Sequence, residues 1–150
     1  MLSFETDSFS AKDTEQAGAR LASGLKESGK ANTFIAMYGD LGAGKTAFVR
    51  GLASVVTPSA HVCSPTYNLV NEYDGDDIKL CHFDMYRITS DDDLYSIGFY
   101  DYTDCMIAAE WCENIEYALP ESYIRVDIVK TGEDSRRISV REINNDNSCN

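Results

Sequence analysis

The chain has 150 residues, of which 43% are hydrophobic and 25% charged, and its formal net charge is −12. This length predicts a single domain whose core needs neither disulfides nor a structural metal. No apolar run approaches the ~20 residues of a membrane helix, and the first ten residues lack the basic and apolar regions of a secretory signal. We therefore expect a cytosolic location without membrane association.

The predicted elements begin with a helix. Ser10 followed by Asp13 has the pattern of a helix N-cap, and Gly29 marks the expected helix end. Residues 33–38 form a short, continuously apolar run, which is typical of a strand buried on both faces. A second helix is predicted over 45–56.

Strand patterns dominate the second half of the chain, and a short helix is predicted to begin at Ser90. The predicted strands span residues 67–73, 78–83, 105–110, 123–129 and 136–141. An acidic turn joins the first two into a hairpin, and the last is expected at an edge of the sheet. We predict an α/β fold, a single domain over 1–143 with a mixed sheet flanked by helices, and a disordered polar tail over 144–150.

The acidic charge is concentrated in one block. Residues 72–121 contain fourteen acids and two bases, so this block accounts for the whole net charge. Nucleic-acid binding normally draws on clustered Lys and Arg, and the chain has no such cluster. The block is interpreted as a solvated face or as a surface for a basic partner. The five cysteines, with no C-x-x-C pair, are expected to be free buried thiols.

The strongest motif lies between the predicted strand 33–38 and the helix 45–56. It matches G-x-x-x-x-G-K-[ST] and reads Gly39, Asp40, Leu41, Gly42, Ala43, Gly44, Lys45, Thr46. Its glycines let backbone N–H groups turn toward phosphate oxygens at a helix N-terminus. Lys45 is expected to neutralise the phosphates and Thr46 to offer its hydroxyl to Mg²⁺, which predicts ATP and magnesium as cofactors. This motif is a P-loop, so we predict that the domain over 1–143 is P-loop NTPase-like.

A P-loop also needs an acid at the end of a neighbouring strand. Asp84 follows the predicted strand 78–83, and Glu110 follows the apolar residues 105–109. Glu110 is favoured because its strand is more apolar. Either acid could instead cap a strand at the surface. Trp111, directly after Glu110, is compatible with a core or a site position. The loop with two hydroxyls at Ser64 and Thr66 is, on its chemistry alone, compatible with any turn.

These motifs occur in an order that resembles the TsaE family, once called YjeE, the bacterial ATPases needed to make N6-threonylcarbamoyl-adenosine in tRNA. The likeness extends over about residues 10–140. It is carried by the P-loop at 39–46, Ser64-Pro65-Thr66-Tyr67, His82-Phe83-Asp84-Met85-Tyr86-Arg87, Gly98-Phe99 with Asp101-Tyr102, and Glu110-Trp111.

The resemblance implies roles for individual residues. Thr46 and Glu110 would hold Mg²⁺, Lys45 would bind phosphate, and Asp84 would lie near the γ-phosphate and its waters. Ser64 to Thr66 would form a switch-type loop, and Trp111 would lie beside the nucleotide. The catalytic residues implied are thus Lys45, Asp84 and Glu110.

The resemblance also implies a weak, partner-stimulated ATPase that works with the threonylcarbamoyl-transfer subunits TsaD and TsaB. The charge distribution predicts no tight binding of tRNA by this chain alone. Two alternatives stay open at the sequence level. A small-metabolite kinase would need a second phosphate-binding cluster, for which the middle of the chain offers only Arg50, Lys79 and Arg87. A non-catalytic docking module gated by nucleotide is the third reading, since P-loop switch proteins can hydrolyse nucleotide very slowly alone.

Overall fold

Seven strands make up one mixed sheet in the computed structural model, which describes residues 2–40, 42–65 and 68–145. They are β1 (Phe4–Ser8), β2 (Phe34–Tyr38), β3 (Val70–Asp74), β4 (Lys79–Asp84), β5 (Met106–Glu110), β6 (Ser122–Lys130) and β7 (Arg136–Asn144). The helices are α1 (Ala11–Glu27), α2 (Lys45–Val56) and α3 (Asp91–Ser96), with short 3₁₀ turns at Phe99–Asp101, Cys112–Asn114 and Glu116–Ala118.

The sheet combines a parallel centre with antiparallel flanks. Its strand order is β1-β7-β6-β2-β5-β4-β3. β2 pairs in parallel with β5 and β6, and β4 pairs in parallel with β5. β7 is antiparallel to both β6 and β1, and β3 is antiparallel to β4. The predicted mixed α/β architecture is therefore confirmed.

Two hydrophobic layers cover the sheet. On one face, α1 and α2 pack against inward side chains such as Ile35, Met37 and Val126. On the other, α3 and the 3₁₀ turns cover Ala36, Phe83 and neighbouring residues. Because successive strand residues point to opposite faces, β2 is buried on both sides, as its continuously apolar sequence predicts.

Local sequence explains how the first helix layer is built. The Ser10 hydroxyl accepts the Asp13 N–H at 3.1 Å, and the Asp13 carboxylate accepts the Phe9 N–H at 2.9 Å, which confirms the predicted N-cap. α1 then packs closely on α2 at Gly51, where an added Cβ would lie 1.8 Å from the Glu15 carbonyl oxygen. Only glycine allows the two helices to approach this far.

Three sequence-based expectations need correction. β7 is not an edge strand, because β1 pairs along its outer side. The strand β1 was itself not predicted, since its five residues (Phe4–Ser8) are mostly polar. Strand β7 also extends to Asn144, inside the predicted polar tail; residues 146–150 lie outside the described part of the chain. Of the four described cysteines, all free, Cys63 is exposed rather than buried.

None of the described helices has the length and apolar character needed to cross a bilayer.

Candidate functional site

The parallel strands bring their polar residues to one edge and one face of the sheet. In β4 and β5, Leu80 and Ala108 belong to the core beneath α2. Side chains two residues apart share a face, so Asp84 and Glu110 also point to the α2 side, and the two are register partners at the strand ends. Ligands of open α/β sheets bind at this carboxyl edge.

The loop between β2 and α2 has the backbone of a phosphate cradle. Gly39, Gly42 and Gly44 all have positive φ angles, and a Cβ on Gly39 would lie 2.6 Å from the Ile128 carbonyl oxygen. The loop leads directly into the N-terminus of α2, where N–H groups lack intrahelical partners and attract anions. Leu41 of the motif lies outside the described residues.

Lys45 is buried at the start of α2, with only 5% of its surface exposed. Its ammonium donates to the carbonyl oxygens of Gly39 and Asp40 and lies 3.8 Å from the centre of the Trp111 ring. Burial lowers the pKa of Lys45 from its ordinary value, while nearby carboxylates, Glu110 first among them, partly oppose this shift. The ammonium thus rests on backbone and ring partners that a phosphate could replace.

Glu110 connects the P-loop helix to β4. Its Oε2 accepts the Thr46 hydroxyl at 3.3 Å and also contacts Nε2 of His82. Glu110 is 5% exposed and His82 is fully buried. The structure therefore brings Thr46 and Glu110 together, although the two residues are separated by 64 positions in the chain.

Asp84 has a different set of contacts. Its Oδ1 accepts the Tyr86 N–H at 2.9 Å, and its own N–H donates to the Leu69 carbonyl oxygen at 3.0 Å. It lies beside Glu110 at the same sheet edge. The described hydrogen bonds of Asp84 are thus to backbone groups of nearby loops, whereas Glu110 contacts the P-loop helix directly.

Burial separates these two acids from the rest of the acidic block. Of the fourteen acids between residues 72 and 121, eleven are exposed and Asp93 is half-buried. Asp84 and Glu110 are the two that are buried. Because burying a carboxylate without compensation is costly, the two buried members of an otherwise solvated block mark a site.

The remaining predicted residues lie around this centre. Trp111 takes a left-handed backbone conformation, φ 62°, and its ring packs at 4.9 Å from that of Tyr86 and over Lys45. Ser64 is exposed in a loop anchored at Cys63, whose N–H donates to the Tyr73 hydroxyl at 3.0 Å. Thr66 lies outside the described residues.

Sequence reasoning missed two residues of this region. The first is His82, which belongs to a motif of the family resemblance but, as an interior residue of an apolar strand, gave no indication of a contact with Glu110. The second is Arg136: it is adjacent to Arg137 in β7, and the structure separates the roles of these two side chains. Arg136 donates to the P-loop carbonyl oxygens of Ala43 at 2.9 Å and Gly42 at 3.2 Å, whereas Arg137 faces β1.

Cavity volume alone would favour a site at the opposite edge of the sheet. A cavity of about 810 Å³ lies at the amino ends of the parallel strands, lined by residues such as Phe34 and Ile124. A smaller cavity of about 160 Å³ lies beside the P-loop, between Thr14, Gly44 and Arg136. We assign the site to the P-loop edge, because the buried charges and the helix N-terminus converge there and not at the larger cavity.

A mixed α/β sheet, a glycine-rich loop entering a helix and buried acids on adjacent parallel strands define a P-loop NTPase-like domain. Residues 8–138 match the model of the family described as threonylcarbamoyl adenosine biosynthesis protein TsaE. The chain belongs to this TsaE family, and thus to the proteins of tRNA threonylcarbamoyladenosine biosynthesis.

Individual relatives agree with the family match. The chain is 32% identical to TsaE of Rickettsia felis, over 85% of this chain and 76% of that protein. It is 31% identical to TsaE of Bacillus subtilis, over 77% of this chain and 73% of that protein. A crystal structure of YdiB from Bacillus subtilis superimposes with a TM-score of 0.69 at 28% identity, covering 94% of this chain and 85% of that chain.

Proposed function

We propose that this protein binds ATP with Mg²⁺ at the P-loop edge and hydrolyses it slowly, in support of threonylcarbamoyladenosine formation on tRNA. The observation that carries the proposal is the pair of buried groups, Lys45 and Glu110, that meets the half-buried Thr46 at the N-terminus of α2. A buried cation and a buried carboxylate, next to a glycine-rich loop at a helix N-terminus, are what a nucleoside triphosphate with its metal requires.

The phosphate end would be held by backbone and by Lys45. The N–H groups at the start of α2 and the lysine ammonium supply positive charge where phosphate oxygens carry negative charge. Lys45 would exchange its carbonyl partners, Gly39 and Asp40, for phosphate oxygens. A stronger, charged acceptor would then compensate the burial of the ammonium.

The oxygen donors present fit magnesium. The hydroxyl of Thr46 and the carboxylate of Glu110 lie 3.3 Å apart, and Asp84 is the register neighbour of Glu110. No cluster of three or more metal-ligating side chains occurs in the described ranges, but Mg²⁺ commonly binds through one or two carboxylates with phosphate oxygens and waters. When bound, magnesium would neutralise charge that develops on the phosphates.

The adenine end would lie on the other side of the P-loop. The cavity of about 160 Å³ there is bordered by Thr14 on α1 and by Arg136 on β7. Arg136 also donates to Gly42 and Ala43, so its guanidinium connects the P-loop backbone to the wall of this cavity. We therefore expect Arg136, and not Arg137, to affect nucleotide affinity.

TsaD and TsaB are the proposed partners, and ATP would drive or reset their cycle. The exposed acids of the 72–121 block are suited to a basic protein surface and would repel the phosphate backbone of tRNA. We therefore expect tRNA to be bound by the partner complex and not by this chain alone.

The test uses Trp111, the single tryptophan, as the reporter. Because its ring faces Lys45, its fluorescence should change when ATP or ADP binds with Mg²⁺. Phosphate release is then measured for the protein alone, with TsaD and TsaB, and with tRNA at low and moderate salt. Saturation with nucleotide without any change in Trp111 fluorescence would contradict the proposed site.

The same assays separate the alternatives. A kinase would transfer the phosphate to a small acceptor and not to water, and a docking module would bind ATP without releasing phosphate even with partners. The described structure offers little for a kinase, since Lys79 is paired with Glu72 at 2.7 Å, at the far end of β4. Tight tRNA binding by this chain alone, or full modification over many turnovers in its absence, would contradict the proposed partnership.

A further inference from the structure

His82 is a buried ionisable group near this edge for which the proposed function gives no use. It lies in β4, fully inaccessible to solvent, opposite Asn71 of β3 and Ala108 of β5. Strand alternation puts its side chain on the same face as that of Asp84, beneath α2. An apolar residue could fill this core position, so the imidazole requires an explanation.

The contacts of the ring are asymmetric. Nε2 contacts Oε2 of Glu110, the same oxygen that accepts the Thr46 hydroxyl. An ionised carboxylate only accepts hydrogen bonds, so Nε2 must carry the proton that it donates. Nδ1 is buried and has no hydrogen-bond partner among residues 2–40, 42–65 and 68–145.

This arrangement distinguishes His82 from a core residue selected for packing. A buried nitrogen without a partner lowers stability, and structures retain such groups where another property depends on them. Here the other nitrogen holds the carboxylate that lies against the P-loop threonine. Residues that orient metal-binding carboxylates in this way affect metal affinity without touching the metal.

We propose that His82 is a positioning residue that fixes the rotation of the Glu110 carboxylate through Nε2–H, and so sets the affinity of the site for Mg²⁺. The inference depends on the proposed function, because it assigns Glu110 to the magnesium side. It adds a residue in the middle of a buried strand, beyond the P-loop and the two acids, to the determinants of metal binding.

The tautomer provides a test without metal or nucleotide. The protein has two histidines, and His61 is exposed, so imidazole ¹⁵N–¹H correlation spectra contain one buried signal and one reference signal. The signal of His82 should show a proton fixed on Nε2, whereas His61 should show fast exchange. A His82 ring with its proton on Nδ1 alone would overturn the proposal.

Substitutions test the effect on magnesium. His82→Gln keeps an N–H donor at about the position of Nε2, whereas the shorter His82→Asn does not reach Glu110. Magnesium is titrated at fixed ATP with Trp111 fluorescence as the readout. We expect His82→Asn to weaken Mg²⁺ affinity by about 10- to 100-fold, with His82→Gln close to wild type and ADP affinity without metal unchanged in both.

Cys81→Ala is the matched control, since Cys81 is equally buried in β4 but points to the opposite face. It should shift the unfolding midpoint while leaving Mg²⁺ affinity at the wild-type value. If His82→Asn binds Mg²⁺ as wild type does, the positioning role is overturned and the proposed function stands. If wild type itself shows no magnesium-dependent binding of ATP, the proposed function is overturned as well.

Discussion

Charged side chains are buried at the parallel centre of the sheet but exposed in one of its antiparallel flanks. At the carboxyl edge of β2, β4 and β5, Lys45, Asp84 and Glu110 are buried. In the flank formed by β1, β7 and β6, Arg137 pairs with Glu5 at 2.8 Å and with Asp7 at 2.9 Å, and all three side chains are more than 40% exposed.

The energetic consequences of these two arrangements differ. Exposed pairs across neighbouring strands are partly screened by solvent and contribute little stability. Buried charges lose hydration, and their partners must compensate for this loss. At the parallel centre the compensation is incomplete, since burial lowers the pKa of Lys45 and Nδ1 of His82 lacks a partner among the described residues. Charged groups at the parallel centre are therefore retained at an energetic cost that the exposed pairs of the flank do not carry, and variants in both regions measure this difference.

The largest effect is expected for Lys45→Ala at the parallel centre. Removing a charged hydrogen bond to phosphate costs about 1.5–3 kcal/mol, which corresponds to a roughly 10- to 150-fold weaker affinity for ATP. The variant should remain folded, because alanine favours the helix in which Lys45 lies. Nucleotide titration and circular dichroism measure the two properties. If the folded variant binds and hydrolyses ATP as wild type does, Lys45 does not belong to the nucleotide site.

A smaller effect should distinguish the two buried acids. Glu110→Gln removes the charge next to Thr46 and should weaken Mg²⁺ affinity by about tenfold or more. Asp84→Asn should affect Mg²⁺ affinity less, because Asp84 accepts the Tyr86 N–H and has no described contact with Thr46. Magnesium titrations of both variants at fixed ATP compare them. A larger loss of metal affinity in Asp84→Asn would show that the two roles are reversed.

Adjacent residues of β7 connect the two regions and allow a matched pair of variants. Arg136→Ala loses the hydrogen bonds to Ala43 and Gly42. A typical hydrogen bond contributes about 0.5–1.5 kcal/mol of free energy, so the variant should bind ATP roughly 3- to 10-fold more weakly. Arg137→Ala is the control, since its partners are Glu5 and Asp7. Equal losses of nucleotide affinity in both variants would contradict the separation of site and flank.

The smallest effect belongs to the flank and depends on pH. Hydrogen bonds from Ser139 and Arg137 lower the pKa of Glu5 from 4.5, its ordinary value. A lowered carboxyl pKa adds stability at higher pH, and this stability is lost as pH falls through the folded-state value. Glu5→Gln should therefore melt slightly below wild type at pH 6, and by less at a pH below the ordinary value of 4.5. Thermal unfolding at both pH values measures it, with ATP affinity at pH 6 expected to be unchanged.

Features that depend on local order could be predicted from the sequence. A few neighbouring residues specify each of four features: the P-loop motif, the Ser10 cap of α1, the apolar strand β2 and the acids that end β4 and β5. Glycines favour the tight loop, capping side chains bond within one turn, and an uninterrupted apolar run predicts burial on both faces.

Tertiary structure alone decided the features that depend on strand pairing. β1, with five mostly polar residues (Phe4–Ser8), becomes a strand because β7 supplies its hydrogen-bond partners, and this converts β7 from an edge strand to an interior one. The contact of His82 with Glu110 arises because β4 and β5 pair in parallel and in register. Such contacts join residues far apart in the chain, so no local pattern encodes them; they exist only once the sheet has formed.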